Sequence, residues 1–306
     1  MNILVTGGAG YVGTLLTEEL LKNGHTVAVL DNFMYGYESL LHVVDNKHLH
    51  IIQKDIRNLE KKDVAGYDVI FHLAAISGAP ACDDNPFSAQ AINAGATKRI
   101  VDYTKDSSQL LIYASTTSFY GKGGEDCDEN SSIEVLSAYG KTKYEAEQAV
   151  MTRRNSVALR FATVFGISPR MRNDLMINDF LYRAINEKAI IIFESVSKRT
   201  FMHIRDAVRA YLFTLHNRDS MIGEIYNVGD ETLNLTKLEV AEKIKKYVDC
   251  EIILTTLSAS DKRNFNVSFN KIKKLGFNVE YNIDDGIKEM KKLYSYYKRY
   301  CPYKVI

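Results

Sequence analysis

The stretch from Asn2 to Gly13 constrains this chain more than any other. Asn2-Ile3-Leu4-Val5 is a short apolar run that reads as a buried strand, and Thr6-Gly7-Gly8-Ala9-Gly10-Tyr11-Val12-Gly13 follows without a gap. From Thr14 to Asn23 the apolar positions Leu15, Leu16, Leu20 and Leu21 then recur at helical spacing. Gly8, Gly10 and Gly13 satisfy G-x-G-x-x-G, while Gly7, Gly10 and Gly13 give the related G-x-x-G-x-x-G. Glycines so spaced permit a tight turn, close approach of backbone to a pyrophosphate, and close helix–strand packing. The helix amino terminus adds N–H groups and the positive end of its dipole. Gly7, Gly10, Tyr11, Val12 and Gly13 are therefore the expected cofactor contacts in this segment. A second strand, Thr26-Val27-Ala28-Val29-Leu30, ends in Asp31 at the distance such a unit requires. A carboxylate there accepts hydrogen bonds from an adenosine ribose and repels a 2′-phosphate, which selects NAD over NADP.

Strands and helices alternate through the first half. Further strands are expected at His50–Gln53, Asp68–Leu73, Gln109–Tyr113 and Val157–Phe161, with helices at Ser88–Lys105 and Ala138–Arg153. Such alternation implies an α/β fold with a parallel, doubly wound sheet whose ligand sits at the carboxyl ends of the strands. After about residue 165 the pattern loosens. Helices expected at Asp174–Glu187, Asp206–Arg218, Lys237–Val248 and Asp284–Tyr300 are joined by short strands and loops. This is the profile of a smaller, mixed α/β carboxyl-terminal lobe. The expected division is 1–165 with part of 200–228 for the dinucleotide domain, and 166–199 with 229–306 for the substrate lobe.

Composition excludes several classes. The 306 residues carry a net charge of +1, which offers no electrostatic case for nucleic acid or a membrane surface. No apolar run approaches the roughly 20 residues of a bilayer span. The first strand begins at Asn2, which leaves no room for a signal peptide, so a cytoplasmic location is expected. Cys82, Cys127, Cys250 and Cys301 are scattered with no C-x-x-C pair and are expected to be free thiols; no metal site is expected.

Tyr139 and Lys143 lie four residues apart in Ala138-Tyr139-Gly140-Lys141-Thr142-Lys143, on one face of a helix. A cation beside a phenol favours the phenolate, so the tyrosine can exchange a proton with a substrate hydroxyl. Tyr-x-x-x-Lys alone is a weak pattern. Its weight comes from the nucleotide loop that opens the same chain. A hydroxyl at Thr116, at the end of the fifth strand, would face this helix across the crevice where the strand order reverses.

Together these residues resemble an extended short-chain dehydrogenase/reductase of the NAD-dependent nucleotide-sugar epimerase/dehydratase group. The similarity runs through Thr6–Gly13, Asp31-Asn32, Asp55-Ile56, His72-Leu73-Ala74-Ala75, Asn93, Tyr113–Thr116, Tyr139/Lys143, Arg160-Phe161, Arg199–Asp206 and Tyr226–Gly229. The resemblance implies a Rossmann domain with tightly held NAD and a lobe that holds a sugar nucleotide. It places Asp31 and Asn32 at the adenosine ribose, Asp55 and Ile56 at the adenine, and Leu73, Ala74 and Ala75 along the cofactor. Asn93, Ser115 and Phe161 join the cofactor set, and Lys143 also holds the nicotinamide ribose. Thr116 takes the position that hydrogen-bonds the reacting sugar oxygen. Ser77, Gly78, Thr117, Asn178, Arg199 and Arg263 are the implied substrate contacts, with Arg170 and Arg172 as further candidates for the diphosphate. His203 reads as a packed core histidine. Relatives of this kind pair the two helices at Ser88–Lys105 and Ala138–Arg153 into a homodimer.

Two departures narrow the chemistry. The 4,6-dehydratases of the group carry Asp-Glu directly after the catalytic Ser/Thr, to eliminate water by general acid and base. Here those positions are Thr117 and Ser118. The fucose-synthase type has a catalytic cysteine near Thr117 and prefers NADPH, which Asp31 opposes. Hydride transfer at C4 of a nucleotide-linked sugar remains. Asp31–Gly36, the Gly78-x-Pro80-x-Cys82 stretch and Ser168–Arg172 are similar to the GDP-heptose 4-dehydrogenases of bacterial capsule pathways, which makes oxidation of a GDP-sugar to a 4-keto sugar the expected reaction. The alternative is a 4-epimerase. A 4-keto reductase or a non-catalytic NAD-binding protein ranks below both.

Overall fold

The computed structural model describes residues 1–121, 124–255 and 263–297. Seven strands form one all-parallel sheet: β1 (Asn2–Thr6), β2 (Thr26–Asp31), β3 (Leu49–Gln53), β4 (Val69–His72), β5 (Leu110–Thr116), β6 (Ser156–Phe161) and β7 (Ile225–Val228). Their order across the sheet is β7-β6-β5-β4-β1-β2-β3. The chain winds outward from β1 to β3 and then returns to start again at β4. The crevice outside the carboxyl ends of β1 and β4 is therefore the place where a ligand fits.

Every residue of β4 and β6 is buried, because helices cover both faces. Alternate side chains enter opposite cores. Ile3, Val5, Val27, Val29 and Phe71 pack with Leu16 and Leu20 of α1 (Tyr11–Lys22). Leu4, Ala28, Leu30 and Ile70 pack on the other face with Ile100 and Val101 of α2 (Ala96–Thr104) and with Ala146 and Val150 of α3 (Ala138–Met151). Helix α4 (Ile204–His216) closes the first face through Ala207, Val208 and Tyr211.

The helix expected over Ser88–Lys105 is divided. Pro86–Ala89 and α2 flank a π-helical turn at Gln90–Gly95, a feature that recurs at functional sites. Of the apolar residues expected at a helix-pairing surface, Ile100, Val101, Ala146 and Val150 face this chain's own core, while Ala91 is exposed and Ile92 and Ala149 are half-buried.

A second core gathers Phe165, Ile177, Leu181, Ile190, Phe201, Val240, Ile244, Ile287 and Met290. Three helices build it: Met176–Asn186, Lys237–Lys245 and Ile283–Tyr294. Asn282 starts the last of these by accepting the backbone N–H groups of Asp284 and Asp285. This helix was expected to run to Tyr300, and residues 298–300, like Cys301, lie outside the described residues. The division expected from the sequence differs from the packing in both directions: Phe165 and Phe201, expected in the dinucleotide domain, belong to the second core. Phe265, Val267, Phe269, Ile272 and Phe277, assigned to the lobe, join the core of the main sheet, because Phe265–Val267 pairs with the strand Gly124–Cys127. Cys82, Cys127 and Cys250 are buried, and no described helix is long and apolar enough to cross a membrane.

Candidate active site

A cavity of about 350 Å³ lies along the carboxyl ends of the strands, from Asp31 and Asp55 at one end to Thr116, Tyr139 and Lys143 at the other. The glycine loop forms its floor. Gly7 takes φ of +73°, and a Cβ on Gly13 would lie 2.1 Å from the Gly7 carbonyl oxygen. Only glycine lets α1 start this close to β1. Gly10, Tyr11, Val12 and Gly13 line the same floor. Asp31 stands at the rim and accepts backbone N–H bonds from Ala9 at 3.1 Å and Phe33 at 2.9 Å. Burial raises its pKa, and these N–H donors and the charge of Arg170 oppose that shift. Asn32, Asp55, Ile56, Leu73, Ala74 and Ala75 continue the wall. The Asp55 carboxylate also caps the turn Ile56–Asn58 and pairs with Arg57 at 2.6 Å.

Behind the wall, His72 is buried between Thr6 and Thr97, at 2.7 and 2.8 Å, and burial lowers its pKa to about 3. Asn93 does not line the cavity. Its amide accepts from Ile76 N at 2.8 Å and donates to Ile76 O at 3.0 Å and to Thr142 Oγ1 at 3.1 Å, so it fixes the loop that carries Ser77 and Gly78.

The reactive groups meet where β5 and α3 face each other. Ser137 caps α3 by accepting from Gly140 N, which sets Tyr139 in the first turn. Tyr139, Ser77 and Thr116 line the same end of the cavity, and the two side chains act on the Tyr139 hydroxyl. Lys143 is 3% exposed, with Nζ 4.2 Å above the Tyr113 ring. Burial lowers the Lys143 pKa to about 7, with the nearby Glu147 holding it up. The sequence predicts that Lys143 lowers the pKa of Tyr139. Burial instead raises it, and the opposing pull comes from Ser77, Thr116 and the charge of Arg172. The physical reason is that desolvation disfavours both charged forms, so the ammonium itself is only partly charged near neutrality.

Thr116 donates to Ser118 Oγ at 3.0 Å and accepts from Ser118 N at 3.1 Å. Arg263 donates to the same Ser118 Oγ at 2.8 Å. Ser118 Oγ thus accepts two hydrogen bonds, which leaves its own hydrogen available to donate. Ser118 lines the cavity while Thr117 does not: Thr117 Oγ1 turns away to donate to Phe161 O at 3.2 Å. Thr117 is the expected substrate contact; the structure puts Ser118 at the cavity instead, because the chain turns into a short 3-10 helix at Thr117–Tyr120. Ser115 and Phe161 line the cavity, but Ser115 Oγ donates at 2.6 Å to Glu147. Glu147, 0% exposed, forms an ion pair with Arg160 at 2.7 Å.

Candidates from the second half divide. Arg170, Arg172, Gly78 and Arg263 line the cavity, and Arg172 donates to Ser77 Oγ at 3.1 Å while pairing with Asp174. Asn178 and Arg199 do not line it. Asn178 accepts from Gly166 N at 3.1 Å and donates to Arg172 O at 2.8 Å and Tyr11 OH at 3.3 Å. Arg199 donates to the carbonyls of Lys198 and Arg263. His203 is buried, stacked on Tyr281 with ring centroids 4.8 Å apart.

This cavity fits NAD on its own chemistry: a glycine floor at a helix amino terminus, a carboxylate at the ribose end, and a Tyr–Lys–Thr group at the far end. The pattern of the NAD dependent epimerase/dehydratase family matches residues 3–229. An uncharacterised UDP-glucose epimerase of Bacillus subtilis, YtcB, is 34% identical over 245 residues, covering 75% of this chain and 77% of that protein. A UDP-N-acetyl-alpha-D-glucosaminuronate decarboxylase of Bacillus cytotoxicus is 28% identical over 314 residues, covering 96% of this chain and 92% of that one. Among solved structures, the UDP-glucuronic acid 4-epimerase of Bacillus cereus with UDP-glucuronic acid and NAD superposes with a TM-score of 0.87, at 25% identity, over 96% of this chain and 99% of its own. With cofactor loop, acid, and Tyr–Lys–Thr group in one cleft, the chain belongs to the NAD dependent epimerase/dehydratase family, and NAD is its cofactor.

Proposed function

We propose that the protein is a nucleotide-sugar 4-epimerase acting on a UDP-linked sugar. The observation that carries this reading is the meeting of Tyr139, Thr116 and Ser77 beside Lys143, with no carboxylate at positions 117 and 118. Such a group moves one proton at one hydroxyl and lacks the second acid–base pair that elimination of water needs. Bound NAD supplies the hydride acceptor and donor, and a positive charge beside the phenol. Tyr139 takes the proton of the C4 hydroxyl and returns it, with Ser77 and Thr116 hydrogen-bonding its oxygen. The charge of Arg172 favours the phenolate. Ser118, polarised by Arg263, donates to a sugar oxygen.

The relatives named above carry their sugars on UDP, which favours epimerisation of a UDP-sugar over oxidation of a GDP-heptose. Arg172 puts a cation next to the reacting group, so UDP-glucuronic acid, whose carboxylate it suits, is the first substrate to test. The experiment is incubation of the purified protein with UDP-glucose, UDP-N-acetylglucosamine, UDP-glucuronic acid and a GDP-sugar set, with products identified by mass and NMR. Sustained interconversion of C4 epimers with no added oxidant is the expected result. A 4-keto product, two hydrogens lighter, that builds up only when a carbonyl compound is supplied would establish the 4-dehydrogenase instead.

A further inference from the structure

Arg170 is a buried cation without a partner. It is 9% exposed, and among the described residues it makes no hydrogen bond and no ion pair. It stacks on Tyr35, with the guanidinium carbon 3.9 Å from the ring centroid. A buried charge with unmet donors is costly unless something supplies the opposite charge. Both Arg170 and Tyr35 line the cofactor cavity.

The loop before Arg170 is tied to the first residue of α1. Tyr11 OH donates to Gly166 O at 2.7 Å, and Ser168 Oγ donates to Tyr11 O at 2.7 Å. Asn178 holds both partners of the first contact, through Gly166 N and Tyr11 OH. These bonds bring Arg170 beside the helix amino terminus, where anions bind. Asp31 and Asp174 act on Arg170 by charge, but among the described residues neither forms an ion pair with it.

We propose that Arg170 is the counter-charge of the cofactor's diphosphate, held over it by the Tyr35 ring and closing the cavity opposite the glycine loop. A planar fork suits the oxygens of a diphosphate, and the Tyr35 stack costs the fork none of its donors. The dinucleotide is then clamped between backbone N–H groups on one side and a side-chain cation on the other.

The test is the binding of NAD, ADP and adenosine to the purified full chain and to Arg170→Met, by calorimetric titration. The variant should bind NAD and ADP at least tenfold more weakly and adenosine within about twofold of the parent. Its ligand-free thermal midpoint should be equal or higher, since an unpaired buried charge has been removed. Arg170→Lys keeps the charge, loses the fork and should fall between the two. It also supplies the measurement if the Met variant does not fold. An unchanged ratio of ADP to adenosine affinity in the variant, or an equal loss of both ligands, overturns the proposal.

Discussion

The dinucleotide half and the lobe half answer differently to the same kind of reading. In the first half most motif residues line the cavity, among them Gly7, Gly13, Asp31, Leu73, Thr116, Tyr139 and Lys143, while Asn93 and Thr117 are turned to backbone. In the second half, Asn178 and Arg199 are engaged with backbone behind the wall, while Arg170 and Arg172, a few residues away, reach the cavity. The first set is fixed by short-range constraint, because a strand, a tight glycine turn and a helix leave few ways to point a side chain. In the lobe, a residue's direction depends on which distant element it meets. Asn178 is an example, since its partner Tyr11 is 167 residues away.

The largest effect expected is on chemistry in the first half. Tyr139→Phe should lower turnover by about 10²–10⁴-fold while NAD affinity holds, since only the proton path is removed. Near-normal turnover would move the acid–base role elsewhere, with Thr116 the next candidate. Next in size is stability. Glu147→Ala strands the Arg160 guanidinium, 3% exposed, and should cost about 3–5 kcal/mol in denaturant unfolding. A cost below about 1 kcal/mol would mean that the network under the cavity is not what makes this half rigid.

Asn178→Ala sharpens the contrast between the halves. Loss of its buried hydrogen bonds should cost about 1–3 kcal/mol and weaken NAD binding through the loop to Arg170. A raised KM for the sugar nucleotide with stability and NAD affinity intact would restore Asn178 as a substrate contact. A further effect is read against pH. Lys143 titrates at about 7 in the fold against 10.5 in the unfolded chain, so the unfolded chain binds more protons across that window. Stability of the ligand-free protein should therefore rise with pH between about 7 and 10.5. In Lys143→Met this slope should flatten, with the variant's advantage greatest below pH 7 and fading toward pH 10.5. An identical pH slope in both proteins would show that Lys143 is not desolvated.

Much of the site was legible because its parts are local. The spacing of Gly7, Gly10 and Gly13 and the acid at Asp31 are properties of one strand–turn–helix–strand unit. The roles of Ser118 and Thr117 were not legible, since both are small hydroxyl residues and only the 3-10 turn Thr117–Tyr120 after β5 decides which faces the cavity. Asn93 fell between. Its identity was noticed, but its work of pinning Ile76 depends on a π-helical turn that no periodicity signals.

By itself the amino-acid sequence determined the sheet, the glycine floor, the carboxylate at the cavity rim and the placing of Tyr139 and Lys143 on one helix. Each rests on residues close together in the chain, where sterics and spacing leave one outcome. Tertiary structure alone decided the charge state of that pair and which arginines face the cofactor. Burial is a property of the assembled core, so desolvation could reverse the expected shift of Tyr139 only once β5, α3 and the Ser77 loop had closed around it. Arg170 likewise reaches the cavity only because Tyr11, Gly166 and Ser168 bind one another across the fold.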